Sequence, residues 1–104
     1  HVRLWKPRYN QQFDQDAMTI KTVEGYLGAG YGIAGPEIFD IISELGRTEG
    51  LFLDPVYTGK AFHGMVTELL KGESGQLSGA KNVVFIHTGG LFGVFPQQQN
   101  FRFE

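Results

Sequence analysis

A chain of 104 residues makes one domain at most, and 41% apolar with 19% charged side chains is a globular rather than a disordered composition. A formal charge of -2 gives no electrostatic footing for nucleic acid. With no cysteine there is no disulfide or thiolate metal site, and the apolar runs are too short to span a bilayer. A cytoplasmic protein is expected. The chain begins at His1 rather than methionine, which reads as a fragment or a processed chain.

In chain order, His1 to Lys6 alternates like a half-buried strand, and Pro7 interrupts it. Residues 1–18 are therefore expected as an extended arm or edge strand. Residues 18–27 carry Ile20, Val23, Tyr26 and Leu27 among threonines and predict a strand. Gly28-Ala-Gly-Tyr-Gly32 follows; its glycines permit positive φ and close approach to a ligand, and a plain connecting loop is an equal reading. Pro36 suits the first position of a helix over 36–46, whose apolar face is Ile38, Phe39, Ile41, Ile42 and Leu45, with Gly46 as its stop.

Gly50 leads into a short buried strand at 51–53, which Asp54-Pro55 ends. A second helix is predicted over 58–71, with Ala61, Phe62, Met65, Val66, Leu69 and Leu70 as a buried stripe. Residues 72–79 form its exit loop. Asn82-Val-Val-Phe-Ile-His87 reads as a strand covered on both faces, as in a parallel sheet. Residues 91–95 begin a short helix that Pro96 stops, and 97–104 is a final strand or an extended tail.

The expected fold class is α/β, a small parallel or mixed sheet in βαβαβ order over residues 19–96. Loops that follow the strands of such a sheet open on one edge. Tyr31, Tyr57, Thr58, Thr88 and their glycines are therefore expected to converge at one crevice. Helix starts at Thr58 and Gly89, with free amides, are candidate anion sites. His87 is an acid–base candidate, although a histidine packed at a strand end is the commoner arrangement. His63 and Lys60 read as structural and solvated, respectively, and Asp54 as a turn-fixing residue. The histidines have no metal-ligand spacing.

Leu53-Asp-Pro-Val-Tyr-Thr-Gly-Lys-Ala61 and Phe85-Ile-His-Thr-Gly-Gly90, with Gly30-Tyr-Gly32 and Arg47-Thr-Glu-Gly50 in the same order, resemble a known family. Residues 20–95 are similar to the carboxyl-terminal portion of the D-cysteine desulfhydrase and 1-aminocyclopropane-1-carboxylate deaminase family, pyridoxal 5'-phosphate enzymes of the tryptophan-synthase β fold type. The resemblance implies that Tyr57 and Tyr31 are the active-site tyrosines. It implies that Thr58 lies beside the pyridine nitrogen of the cofactor, where the deaminase branch carries glutamate, and that Thr88 and Gly89 close over the ring edge. Lys60 matches the family's structural lysine. No lysine here matches the Schiff-base motif, and no segment matches the phosphate loop. Gly28-Ala-Gly30 departs from the family's more frequent Gly-Pro-Gly.

The resemblance implies the carboxyl-terminal part of a desulfhydrase-like lyase, holding half of a site for a small amino-acid substrate and inactive alone. The alternative is a non-catalytic binding or assembly module derived from that fold, expected to pair with itself as a homo-oligomer or with a partner. A mononucleotide binder is a third reading, resting on glycine loops without a phosphate-loop motif.

Overall fold

The computed structural model describes residues 14, 16, 17 and 19–102. The arm expected over residues 1–18 lies, apart from residues 14, 16 and 17, outside the described residues.

Two helices carry the structure: α1, Pro36–Glu49, and α2, Thr58–Leu70. Pro36 has no amide to lose at the first helical position, and Glu37 places negative charge in the first turn. Ile38, Phe39 and Ile42 turn inward. The helix does not stop at Gly46. It runs through that residue to Gly50, whose φ of 68° supplies the left-handed turn that ends it. Gly46 has a packing role instead, because a methyl group there would lie 3.4 Å from the Phe52 ring.

The core is small. Ile38, Ile42 and Leu53 are buried, with Ala34, Leu45, Phe62, Phe85 and Phe101 packed against them. Two edge-to-face ring pairs close it, Phe39 with Phe101 at 5.0 Å and Phe62 with Phe85 at 5.2 Å. The helices meet closely at Gly59, where a Cβ would come within 2.7 Å of Ile42 Cδ1 and of the Asp54 carbonyl oxygen.

The expected α/β sheet is not formed. Among the described residues there is no strand, and the one bridge is isolated, antiparallel, between Gly30 and Ile33. Residues 19–27, 51–53 and 82–87 make no ladder. The apolar run at 82–87 is not covered on both faces: Val84 is 84% and Ile86 75% exposed, and Phe85 turns inward onto Phe62. At 51–53 Leu53 is buried while Leu51 and Phe52 are exposed. A parallel strand needs cover on both faces and a neighbour for its amides and carbonyls. The Phe52 carbonyl takes the His87 ring nitrogen at 2.8 Å instead of a neighbouring backbone amide. Residues 91–100 form 3₁₀ turns at Leu91–Gly93 and Phe95–Asn100, so Pro96 sits inside the second turn rather than stopping a helix.

The buried side of α2 also differs from the apolar stripe. Ala61, Leu69 and Leu70 are exposed, and the most buried positions include Lys60, Gly64 and Glu68. These three lie four residues apart and form one ridge. The chain around residues 24–30 lies along it. The Lys60 ammonium donates to the Leu27 and Gly30 carbonyls at 2.8 and 2.9 Å. Gly64 leaves room for the Tyr26 ring, which a Cβ would meet at 2.8 Å. Glu68 accepts the Tyr26 hydroxyl. Charged groups are tolerated on this inner face because each has a hydrogen-bonding partner there.

Candidate functional site

Asp54 is the node from which the site is built. Its side chain is 1% exposed. One carboxylate oxygen accepts the amides of Val56 and Tyr57, both at 2.8 Å. The other accepts the Thr58 amide at 2.9 Å and the Thr58 hydroxyl at 2.6 Å. The Thr58 hydroxyl in turn accepts the Asp54 amide at 2.9 Å. Burial pushes the Asp54 carboxyl up, but the Thr58 hydroxyl and the Thr58, Tyr57 and Val56 amides together hold it below its ordinary value. The amides expected to be free for an anion at the start of α2 are therefore already taken by the chain's own carboxylate. That is the turn-fixing role the Asp-Pro sequence suggests, in stronger form.

Tyr57 stands just before α2, with its backbone held by Asp54 and its side chain outward. Its hydroxyl donates to the Tyr31 hydroxyl at 3.0 Å, and the rings meet edge to face at 5.8 Å. Both rings are exposed, Tyr31 at 81% and Tyr57 at 58%. The hydrogen bond to Tyr31 pushes the Tyr57 phenol above its ordinary value, with desolvation and the nearby Tyr31 and Asp54 charges adding to it. Tyr31 projects from the turn closed by the Ile33 amide on the Gly30 carbonyl at 3.3 Å. Gly32, at φ 70°, takes the position in that turn that favours glycine.

The stretch after His87 reaches the same node. Gly90, at φ 93°, passes so close to Asp54 that a Cβ would lie 2.7 Å from its Oδ2. His87 is exposed, and both its nitrogens are engaged: Nδ1 accepts the Gly89 amide at 3.0 Å and Nε2 faces the Phe52 carbonyl at 2.8 Å. This arrangement specifies the neutral tautomer with its proton on Nε2 and makes His87 a loop-former. Thr88 and Gly89 are exposed beside it. The structure thus brings Tyr31 and Tyr57 into contact, places Thr58 behind them on Asp54, and draws the 88–90 loop against the same carboxylate.

A cavity of about 670 Å³ lies elsewhere, between α1, Phe52 and Phe101, and neither tyrosine lines it. We place the candidate site at the tyrosine pair, because that is where polar groups converge. Among the described residues no cluster of histidines and carboxylates has the makings of a metal site. Among the described residues no helix is long and apolar enough to cross a membrane.

Comparison with known proteins settles the family. The profile described as "Pyridoxal-phosphate dependent enzyme" matches residues 5–89. The chain belongs to the pyridoxal-phosphate-dependent enzymes. It is 46% identical over 80 residues to a Thermotoga maritima protein named "Putative 1-aminocyclopropane-1-carboxylate deaminase", covering 77% of this chain and 23% of that protein. A Pyrococcus horikoshii protein of the same name is 49% identical over 65 residues, covering 62% of this chain and 18% of that protein. The bifunctional D-cysteine desulfhydrase/1-aminocyclopropane-1-carboxylate deaminase of Arabidopsis thaliana, a mitochondrial protein by its name, is 33% identical over 78 residues, covering 75% of this chain and 19% of that protein. The chain therefore spans about a fifth of the length of these curated relatives. No solved structure matches it.

The residues present fit one side of a pyridoxal phosphate site. Two facing phenols and the exposed Thr88–Gly89 edge suit a polar aromatic ring and a small substrate. The start of α2 does not suit the phosphate, since Asp54 fills its amides. Lys60 is tied to two carbonyls, Lys71 to Glu68 at 2.6 Å and Lys21 to the Gln76 carbonyl at 3.0 Å.

Reasoning from pattern alone missed the Glu68 cluster. Glu68 is 1% exposed and accepts from Lys71, from the Tyr26 hydroxyl and from the Gln76 amide. These partners, the Lys71 ammonium foremost, pull its carboxyl down to about 2 from 4.5. A carboxyl lowered on folding stabilises the fold above its unfolded value and loses that contribution as it protonates. Stability should therefore fall as the pH drops from about 4.5 to about 2, with Asp54 acting in the same direction. Urea denaturation across that range should show the loss in the wild type and a flatter profile in Glu68→Gln. Equal slopes in the two would refute it.

Proposed function

We propose that this chain supplies the tyrosine-bearing side of the cofactor and substrate crevice in a pyridoxal-phosphate-dependent lyase or deaminase acting on small amino acids, of the D-cysteine desulfhydrase and 1-aminocyclopropane-1-carboxylate deaminase kind. The single observation that carries this reading is the 3.0 Å hydrogen bond between the Tyr57 and Tyr31 hydroxyls. It joins, at an open surface, two phenols from segments that are far apart in the sequence.

Bound cofactor supplies the electron sink for bond breaking beside the amino-acid nitrogen. The chain's own residues do the rest of the work assigned here. Tyr57 donates to Tyr31 and holds its own proton. That leaves the Tyr31 proton to be directed at a substrate atom, and a Tyr31 oxygen that loses it keeps the Tyr57 donor. Thr88 offers a hydroxyl and Gly89 an open edge without a side chain for the cofactor ring. Thr58 supports Tyr57 from behind through Asp54. Its hydroxyl already donates to that carboxylate, so it is not available to donate to a ring nitrogen.

The chain is proposed to be inactive by itself, because Lys21, Lys60 and Lys71 are held by carbonyls and Glu68 and no lysine of the chain matches the family's Schiff-base motif. The test is to add pyridoxal phosphate to the purified chain and to follow both the lysine-bound cofactor absorbance and release of sulfide from D-cysteine or ammonia from 1-aminocyclopropane-1-carboxylate. Neither signal is expected from the chain alone. Robust turnover would overturn the half-site reading.

A second reading, a non-catalytic module that pairs with itself, is favoured by the bare apolar side chains of Val84, Ile86 and Phe92. Sedimentation of the same preparation separates the two: a monomer at every concentration counts against the module. A cytoplasmic location belongs to the proposal as well.

A further inference from the structure

Lys60 is charged, 8% exposed, and sits three residues after Tyr57 on the inner ridge of α2. Its ammonium reaches back across the chain to two carbonyls, Leu27 at 2.8 Å and Gly30 at 2.9 Å. The Gly30 carbonyl is shared, because it also accepts the Ile33 amide that closes the turn around Tyr31. Each lone pair of that oxygen therefore has one donor, one from the turn and one from α2.

The loop itself has little to hold it. Gly28 and Gly32 both sit at φ 70°. Ala29 and Tyr31 are exposed. Glycine-rich backbone has the most conformational freedom to lose on folding, so such a loop keeps one shape only when something outside it does the holding. On the upstream side Tyr26 is anchored by Gly64 and Glu68. Between that anchor and the start of α1, the Lys60 ammonium is the side chain that grips the loop at two points.

We propose that Lys60 is a positioning residue for Tyr31, its ammonium pinning the glycine loop to α2 so that the Tyr31 hydroxyl stands opposite that of Tyr57. Tyr57 is fixed to the start of the same helix by Asp54. One rigid element thus carries both phenols, one directly and one through a charged tether. Hydrogen bonds from an ammonium to carbonyls are stronger than neutral ones, which suits a single residue to this task. The role deepens the reading of Tyr31 and Tyr57 as the functional pair and rests on it. Its readout needs no turnover, so failure of the lyase assignment and failure of this tether are separable.

The test is the titration of Tyr57 in the whole chain, followed by NMR with isotope-labelled tyrosine and assigned among the four tyrosines by single phenylalanine variants. In the wild type Tyr57 should titrate above 10.0, and Tyr31→Phe should lower it to the value of an unpartnered phenol. Lys60→Met, with the chain still folded, should lower it to the Tyr31→Phe value, and Lys60→Arg, which keeps charge and donors, should restore most of the upshift. A folded Lys60→Met chain in which Tyr57 still titrates as in the wild type overturns the proposal, since a residue that only adds stability would shift the denaturation midpoint and leave the phenol unchanged. If Lys60→Met does not fold, Lys60→Gln, whose shorter amide cannot grip both carbonyls, is read by the same two outcomes.

Discussion

Alanine at position 54 should lower the stability of the chain by roughly 3 kcal/mol and release Tyr57 from its pose. A single capping side chain at a helix start contributes about 0.5–2 kcal/mol. Asp54 does more than cap. It accepts three amides and a hydroxyl while almost fully buried, and hydrogen bonds to a charged group contribute about 1.5–3 kcal/mol each. Those contributions do not simply add, and removing a buried carboxylate recovers its desolvation. The loss still wins, because alanine leaves the Thr58 hydroxyl and the Asp54 amide it accepts inside without the carboxylate that orients them. Asparagine keeps one acceptor and should lose roughly half as much. Urea midpoints of the three proteins measure this, and an Asp54→Ala midpoint within about 0.5 kcal/mol of wild type would sink it.

The second large effect is at Gly90, with Gly89 as its control. Both residues have positive φ, 93° and 97°. Left-handed backbone is unfavourable for an alanine by about 1–2 kcal/mol, so Gly89→Ala should lose about that much, since a methyl group there meets nothing within 4 Å. At Gly90 the methyl lands 2.7 Å from the Asp54 carboxylate, which four hydrogen bonds hold in place. Overpacking adds about 1–3 kcal/mol, so Gly90→Ala should lose roughly 2–5 kcal/mol in total. The difference between the two variants isolates the contact. Equal losses would mean that the 88–90 loop does not rest on Asp54 in solution.

Some of this was readable from the sequence. Pro36 and the spacing of Ile38, Phe39 and Ile42 mark α1, because a helix start and an apolar face are local properties. The helix end lies past the expected Gly46, since pattern cannot distinguish a glycine that gives way to a Phe52 ring from one that turns left-handed at position 50. The strands failed for a different reason. A short apolar run such as Val83 to Ile86 says that the segment can be buried, not that a neighbour is there to pair with it. On the site, the Gly-Tyr-Gly and Val-Tyr-Thr motifs pointed to the two tyrosines that the structure joins. The ridge of Lys60, Gly64 and Glu68 was visible as an i, i+4, i+8 line. Its burial is not legible there, because charged residues ordinarily mark the outer face of a helix.

That ridge also sets an order of events. Lys60 reaches back 33 and 30 residues to its carbonyls, and Glu68 reaches back 42 to Tyr26. All of α1 lies inside those closures. Contacts of such long separation form only after the intervening chain has been drawn in, so the docking of α1 on α2 comes first and the tyrosines meet late. What forms last on such a scaffold is also among the first parts to open. The tyrosine pair is thus expected to part and reclose more readily than the two helices that carry it.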